Sequence, residues 1–482
     1  MTDSEYQEWL VHGGHRAALI EVDTDMVRYL STVPYTTLPT DTPANRVYLP
    51  CVARGFAFSE RLSLDGNPSI SAGDIELHNE DGALDAWLSE VWVNRAIRVY
   101  IGDVSWSRED FRLEFSGVVA DLTSSAADRL NIVLRNKLER LNTPVAEDLL
   151  GGNTANKDRL LPIVLGECHN VEPLLVDPAS HEYQVHSGPM ERLIEVRDNG
   201  VPLSNTTVTL ATGKFRLGGT PAGTLTVSAQ GRTSYQNTVG DLVRTLATAY
   251  GTPSERFASE DLDTVSLEAF NLENQQPVGL SLPDRANVLQ CCQQLATSIG
   301  AQVVMSRQGL LRLVKVALPG MGEAVAIGPS DYEVRSLSIK QRTEVIAGLK
   351  LAYCRNWTVQ TSLDTGIPPE HKDLFAQEWL TVTARDAAVA AAYRLHAEPA
   401  QVDTLLLRGS DAQTEADRRL ALWKVPRTVY GLRGYAQLLT LELGQRITLT
   451  APRWGLDAGK QGIVIALQRD WIAGRCEVEV LI

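Results

Sequence analysis

Residues 161–188 read LPIVLGECHNVEPLLVDPASHEYQVHSG and gather Glu167, Cys168, His169, Asp177, His181 and His186 in a chain with only eight histidines. Residues of these types could form a metal site, a Cys–His catalytic centre, or a polar seam in a structural protein. A structural zinc site wants four thiolate or imidazole ligands, commonly as two closely spaced pairs. Cys168 and His169 are adjacent, and neighbours in a strand point to opposite faces. His181 and His186 lie in a segment without helical periodicity, so the ligand types are present at the wrong spacing. A Cys–His peptidase needs an apposed imidazole and an orienting Asn or Asp, typically with the cysteine at a helix N-terminus. Cys168 instead follows the apolar, strand-like LPIVLGE. Cys291 and Cys292 fall inside an amphipathic helical pattern, where Cys292 reads as core.

Other chemistries are no better served. Glycosidases use two carboxylates across a cleft, but none of the 59 acidic residues is singled out by its surroundings. The sequence contains no GxxxxGK[ST], no GxGxxG after a strand, no GxSxG and no HExxH. We therefore assign no catalytic, cofactor-binding or metal-ligating residue, and no cofactor.

The elements around this stretch are mostly strands. In RAIRVYIGD, Ile97, Val99 and Ile101 alternate with Arg98 and Tyr100. FRLEFSG repeats the device with Phe111, Leu113 and Phe115, and the polar GDVSWSRED between them suggests an antiparallel hairpin with one buried face. LDAWLSEVW places Leu84, Trp87, Leu88 and Val91 at helical spacing. GGNTANKD, from residue 151, reads as a linker, and Asn199-Gly200 is a strong hairpin signal. VGDLVRTLATAYG and DRANVLQCCQQLATSIG read as helices ending on Gly251 and Gly300. AQVVMSRQGLLRLVKV is a hairpin around Ser306–Gly309. ARDAAVAAAYRLHAE and SDAQTEADRRLALWK predict two more helices, the second opening with a capping box of Ser410 and Gln413. QRITLT, GIVIALQ and RCEVEVLI close the sequence as strands.

One internal echo crosses the whole chain. RAIRVYI…SGVVADL and QRITLTA…QGIVIAL share an alternating strand, a polar connection and a glycine-led apolar strand. Gly117-Val118-Val119-Ala120 lines up with Gly462-Ile463-Val464-Ile465. Generic β patterning could produce this, or the chain could hold two equivalent β modules.

Length suits about three or four domains. With 59 acids against 45 bases the net charge is −14, which disfavours a protein that grips nucleic acid through its phosphates. The acidic MTDSEYQEWL start has no secretory pattern, and no apolar run approaches a membrane span. Six scattered cysteines without CxxC suggest folding in a reducing cytoplasm.

The segment LPIVLGECHNVEPLLVDPASHEYQVHSGPMERLIEVRDNGVPL resembles a stretch of the baseplate-hub, or tail-tip, proteins of long-tailed bacteriophages, most like those of transposable siphophages. IELHNEDGALDAWL, VLQCCQQLATSIGAQVVMSRQGLLRLVKV and LGQRITLTAPRWGLDAGKQGIVIALQRDWIAGRCEVEVLI agree in the same order. The resemblance implies a mainly β fold with α+β insertions: a first β-barrel tube domain at 1–145, a β-rich middle domain at 150–235, an α+β middle domain at 236–334, and a second β-barrel tube domain with helices at 335–482. It implies a non-enzymatic homotrimer with pseudo-sixfold symmetry in the virion tail tip, assembled in the host cytoplasm. Such a hub joins the tail tube to the central fibre or tip and forms the channel for DNA ejection. Its partners would be the distal tail or tail tube protein, the tape measure protein, the central fibre or tip protein and other baseplate proteins. DNA would pass without specific binding, along a bore expected to be acidic, and there would be no stable membrane insertion. Some relatives carry a C-terminal cysteine cluster for an iron–sulfur centre; here Cys476 stands alone, so no cluster is carried over. A cell-wall or capsule hydrolase and a receptor-binding tail protein are the competing readings.

Overall fold

The computed structural model describes residues 2–12, 14–53, 55, 57–64, 72–317 and 323–482. Contacts divide the chain into two units, one of Met1–Arg140, Val304–Glu344 and Pro426–Ile482, the other of Leu141–Val303 and Val345–Val425. Two segments therefore fall on the other side of the division from the sequence expectation. Residues 304–334 group with the chain ends, and 345–425 group with the middle. The second of these is an excursion whose stems are tied together, since the amide of Thr343 donates to the carbonyl of Arg427 at 2.9 Å and the amide of Arg427 to the Thr343 hydroxyl at 2.9 Å.

The first unit is built on a 13-stranded sheet. In chain order its strands are β1 (Arg16–Asp23), β2 (Val27–Ser31), β3 (Ala57–Arg61), β4 (Ala72–His78), β5 (Ala96–Asp103), β6 (Arg112–Ala126) and β7 (Arg129–Asn136). They continue with β8 (Val325–Ile327), β9 (Ser338–Arg342), β10 (Thr428–Tyr435), β11 (Arg446–Leu449), β12 (Lys460–Asp470) and β13 (Arg475–Leu481). The spatial order is β2-β1-β5-β6-β7-β4-β3-β12-β13-β10-β9, with β11 also on β12 and β8 parallel to β11. Helix α1 (Asp3–His12) buries Tyr6 and Leu10.

Two five-strand modules repeat within this sheet. The order β5-β6-β7-β4-β3 near the front is matched by β11-β12-β13-β10-β9 at the back, every pairing antiparallel. The register matches as well. Ile97 faces Gly117 as Ile447 faces Gly462. Val119 faces Leu134, and the pairing then skips Ala120 to put Asp121 opposite Val133; Val464 faces Val480, and the pairing skips Ile465 to put Ala466 opposite Glu479. A bulge disrupts the ladder and bends the strand, so its recurrence at one register position is a demanding coincidence of shape. Even the turn before β5 and β11 is shared. Asn94 and Gly444 both adopt left-handed φ, 61° and 77°, and each donates its amide at 2.8 Å to the strand residue (Val119, Val464) that bonds back to the next residue along.

The alternation in β5 buries Ile97, Val99 and Ile101 completely, as expected. The same expectation fails in β6, where Glu114 is 2% exposed: from Glu114 to Val119 this strand is covered on both faces. The helical stripe expected in LDAWLSEVW is a single 3-10 turn, Asp85–Ser89. Five residues of 3-10 helix cannot present a long stripe, and Leu84 and Trp87 are buried while Leu88 and Val91 stand out in solvent.

The second unit holds a five-stranded sheet with Ile163–Val171 between Leu225–Gly231 and Gly279–Leu282, a four-stranded sheet, and a three-stranded sheet around Gly348–Tyr353. Asn199-Gly200 turns the hairpin from Met190–Asp198 into Val201–Pro202, both residues with positive φ. Helices α2 (Val239–Ala249) and α3 (Val288–Ser298) pack here, capped by Thr238 and Asn287. Helix α4 (Gly409–Trp423) starts after Arg408, so Ser410 lies inside it and the expected capping box does not form. Among the described residues no helix is long and apolar enough to cross a membrane.

Candidate functional site

The 161–188 cluster is a packed polar seam. Strand Ile163–Val171 turns Cys168 inward, fully buried in a core with Val164, Val185, Val196, Phe215 and Val227. Glu167 and His169 share the opposite face, with 3.1 Å between Glu167 Oε1 and His169 Nε2, and the Tyr235 hydroxyl donates to Glu167 at 3.2 Å. The His169 hydrogen bond holds the Glu167 carboxyl below its ordinary range. Burial pushes the Cys168 thiol far up, so the sulfur stays a thiol rather than a nucleophile. His186 accepts the Val164 amide at Nδ1, 3.0 Å, and burial, with Arg232 beside it, holds the imidazole down to about 4. Asp177 closes its own turn by accepting from the Ala179 amide at 2.9 Å and the Ser180 hydroxyl at 2.6 Å. His181 sits at φ 49° with Nε2 3.0 Å from the Thr220 hydroxyl. The six residues serve separate local roles. Among the described residues no group of three or more His, Cys, Asp and Glu side chains is placed to hold a metal. Cys291 and Cys476 are buried too, their thiols pushed up to about 12.

Where the two β modules of the first unit join, the structure buries a cluster of charge. Strand β3 pairs with β12, from Arg61 opposite Ala466 to Phe58 opposite Arg469. The Phe58 ring stacks on Phe115 at 4.1 Å with an interplanar angle of 4°. Arg469 pairs with Glu60 at 2.7 Å and donates to the Leu439 carbonyl at 2.9 Å. Arg307 pairs with Glu442 at 3.1 Å and with Glu114. Burial pushes the Glu60 and Glu114 carboxyls up, against the opposing pull of the two guanidinium groups. Each charge has a partner, which is the condition under which buried ions persist. Sequence reading passed over these residues because charged positions in alternating strands were assigned to solvent. The usable signal was Arg469 two residues after the apolar run GIVIAL, in the same strand.

One face of the β3-β12-β13-β10-β9 sheet carries a depression of about 570 Å³. It is lined by Arg61, Arg335, Lys340 and Arg433 and by Glu60, Glu477 and Glu479, among others. Arg61 pairs with Glu479 at 2.9 Å and Arg433 with Glu477 at 3.3 Å. Cross-strand ion pairs of this kind hold a sheet face together and set no acid or base apart for catalysis.

No family model matches the chain, and no curated protein matches it. Among solved structures, it is similar to a tail protein from Neisseria meningitidis MC58, with 9% identity over 97% of each chain and a TM-score of 0.44. It is also similar to a 43 kDa tail protein of prophage MuSo2 from Shewanella oneidensis, with 11% identity over 97% of this chain and 98% of that one, at 0.40. A prophage tail protein from Listeria monocytogenes EGD-e aligns at 9% identity over 97% and 94%, with a TM-score of 0.41.

Proposed function

We propose that this protein is a structural, non-enzymatic hub of a phage tail tip. Three copies would set six β modules around one axis, continuing a hexameric tail tube and leading into a central fibre or tip protein. The observation that carries this reading is the repeat: two modules matched in strand order, register, bulge and entry turn, joined edge to edge in one sheet. A chain with two equivalent modules turns threefold symmetry into approximate sixfold symmetry. The sequence resemblance to baseplate hubs supports the same role, with the tail tube, tape measure and other baseplate proteins as partners and the virion tail as the location.

The ejected genome would pass through the bore without specific contacts. An acidic wall would repel DNA at short range. The depression on the β3-β12-β13-β10-β9 face is near balance, four bases to three acids, so an acidic wall has to be built from other surfaces. Native mass measurement of the purified protein tests the role. A species of three copies is expected, and a stable species of two copies contradicts the hub.

A further inference from the structure

The repeat contains a template for the contact between copies. On β12, strand β11 covers one edge from Lys460 to Ile463, and β3 takes over beyond the bulge, from Ala466 to Arg469. The counterpart of β12 is β6. Strand β5 covers its edge from Arg112 to Val118, and among the described residues no strand pairs with that edge over Asp121–Ala126. The counterpart of β3 is β9, which pairs with β10 alone among the described residues. Among the described residues the chain thus leaves uncovered a copy of each half of its own internal joint.

Burial follows the same logic. Phe58 on β3 is 6% exposed, whereas Ile339, its counterpart on β9, is 45% exposed. Aligned on the shared turn, Leu438, Leu441 and Leu443 of the second module correspond to Leu88, Val91 and Val93 of the first. The former are 3%, 3% and 5% exposed, the latter 51%, 56% and 51%. Positions that are apolar in both modules, but dry in only one, mark a surface awaiting cover. A long uncovered strand edge is itself a template for another strand.

We infer that β9 of one copy adds antiparallel to β6 of the next, repeating the pairing of β3 with β12. Strand β9 carries an extra residue, Lys340, that β3 lacks, so the carry-over runs by strand partner: Phe58 opposite Arg469 becomes Ile339 opposite Ser124, and Glu60 opposite Leu467 becomes Arg342 opposite Leu122. The occupant of the edge is a second copy of this chain, because this chain holds the matching strand. The contact is heterologous, so it closes into a ring when the rotation allows and otherwise runs on as a filament. The ring size rests on the hub reading above, whereas the pairing rests on the repeat alone.

Cysteine cross-linking separates the two. The variants Ser124→Cys and Ile339→Cys are made singly and together, and wild type controls for native thiols. Mixing the two single variants under mild oxidation is expected to give covalent dimers, which neither variant forms alone. The double variant is expected to give a ladder ending at three chains. Dimers in the mixture with a ladder running far past three would support the pairing and overturn the three-copy hub. A three-copy native mass with no cross-link in the mixture would overturn the pairing and leave the hub standing. A monomer without cross-links at the highest soluble concentration would overturn both.

Discussion

Burial alters the chemistry of His186 near physiological pH, and the change has a direction. Its imidazole titrates at about 4 in the folded protein against an ordinary 6.5. Between those values the unfolded chain takes up a proton that the folded one refuses, so stability falls as pH drops from 6.5 to 4 and is full above 6.5. The shift corresponds to about 3 kcal/mol across that window. His186→Asn keeps an acceptor for the Val164 amide but does not titrate. Chemical denaturation at pH 7 and at pH 4.5 is expected to show a smaller loss for the variant than for wild type. A second residue-scale prediction concerns the module joint. Arg469→Met leaves Glu60 buried without its partner and is expected to cost about 3–5 kcal/mol, while adding Glu60→Leu recovers a large part of it. Urea unfolding of the two variants checks this; full additivity of the single changes would show that the pair is not coupled.

At the scale of elements, the entry turns make a paired prediction. Gly444 has φ 77°, and a Cβ there would lie 2.3 Å from Val314 Cγ1. Gly444→Ala is expected to destabilise by at least about 1–2 kcal/mol, the left-handed penalty alone. Asn94 already bears that conformation with a side chain, and Asn94→Gly is expected to change stability by less than about 0.5 kcal/mol. Urea midpoints compare the two. The repeat itself was partly legible in the sequence. Gly117-Val118-Val119-Ala120 and Gly462-Ile463-Val464-Ile465 are aligned in the structure as they align by eye, because a glycine followed by buried β-branched residues marks both strand and register. The bulge was hidden, since Ala120 and Ile465 are apolar and look like ordinary strand positions. So was the role of AFSER and SIKQR: β3 and β9 are short, and their pairing is long-range, which no local pattern encodes. In the 161–188 stretch the opposite faces of Cys168 and His169 could be read from adjacency alone. The isolation of His181, Asp177 and His186 from one another could not, because it depends on where the four-stranded and five-stranded sheets place their turns.

For the whole molecule, the sequence read the two ends as separate modules, whereas the fold joins them in one sheet and, among the described residues, leaves matching edges unpaired. Chain ends that meet through β3 and β12 couple the first 61 residues to the last 20 or so, so a truncation after Leu456 is expected to expose β3 and abolish cooperative folding of the first unit, as read by the loss of a sharp thermal transition. The account stands most directly on the arrangement of modules about an axis, and a cryo-electron microscopy map of the assembled tail tip, reconstructed with threefold symmetry alone, measures it. Six closely similar β modules should ring the tail axis, alternating between the first and second module of three chains. A map that places this chain away from the axis, or sets its two modules in unrelated orientations, would contradict the account.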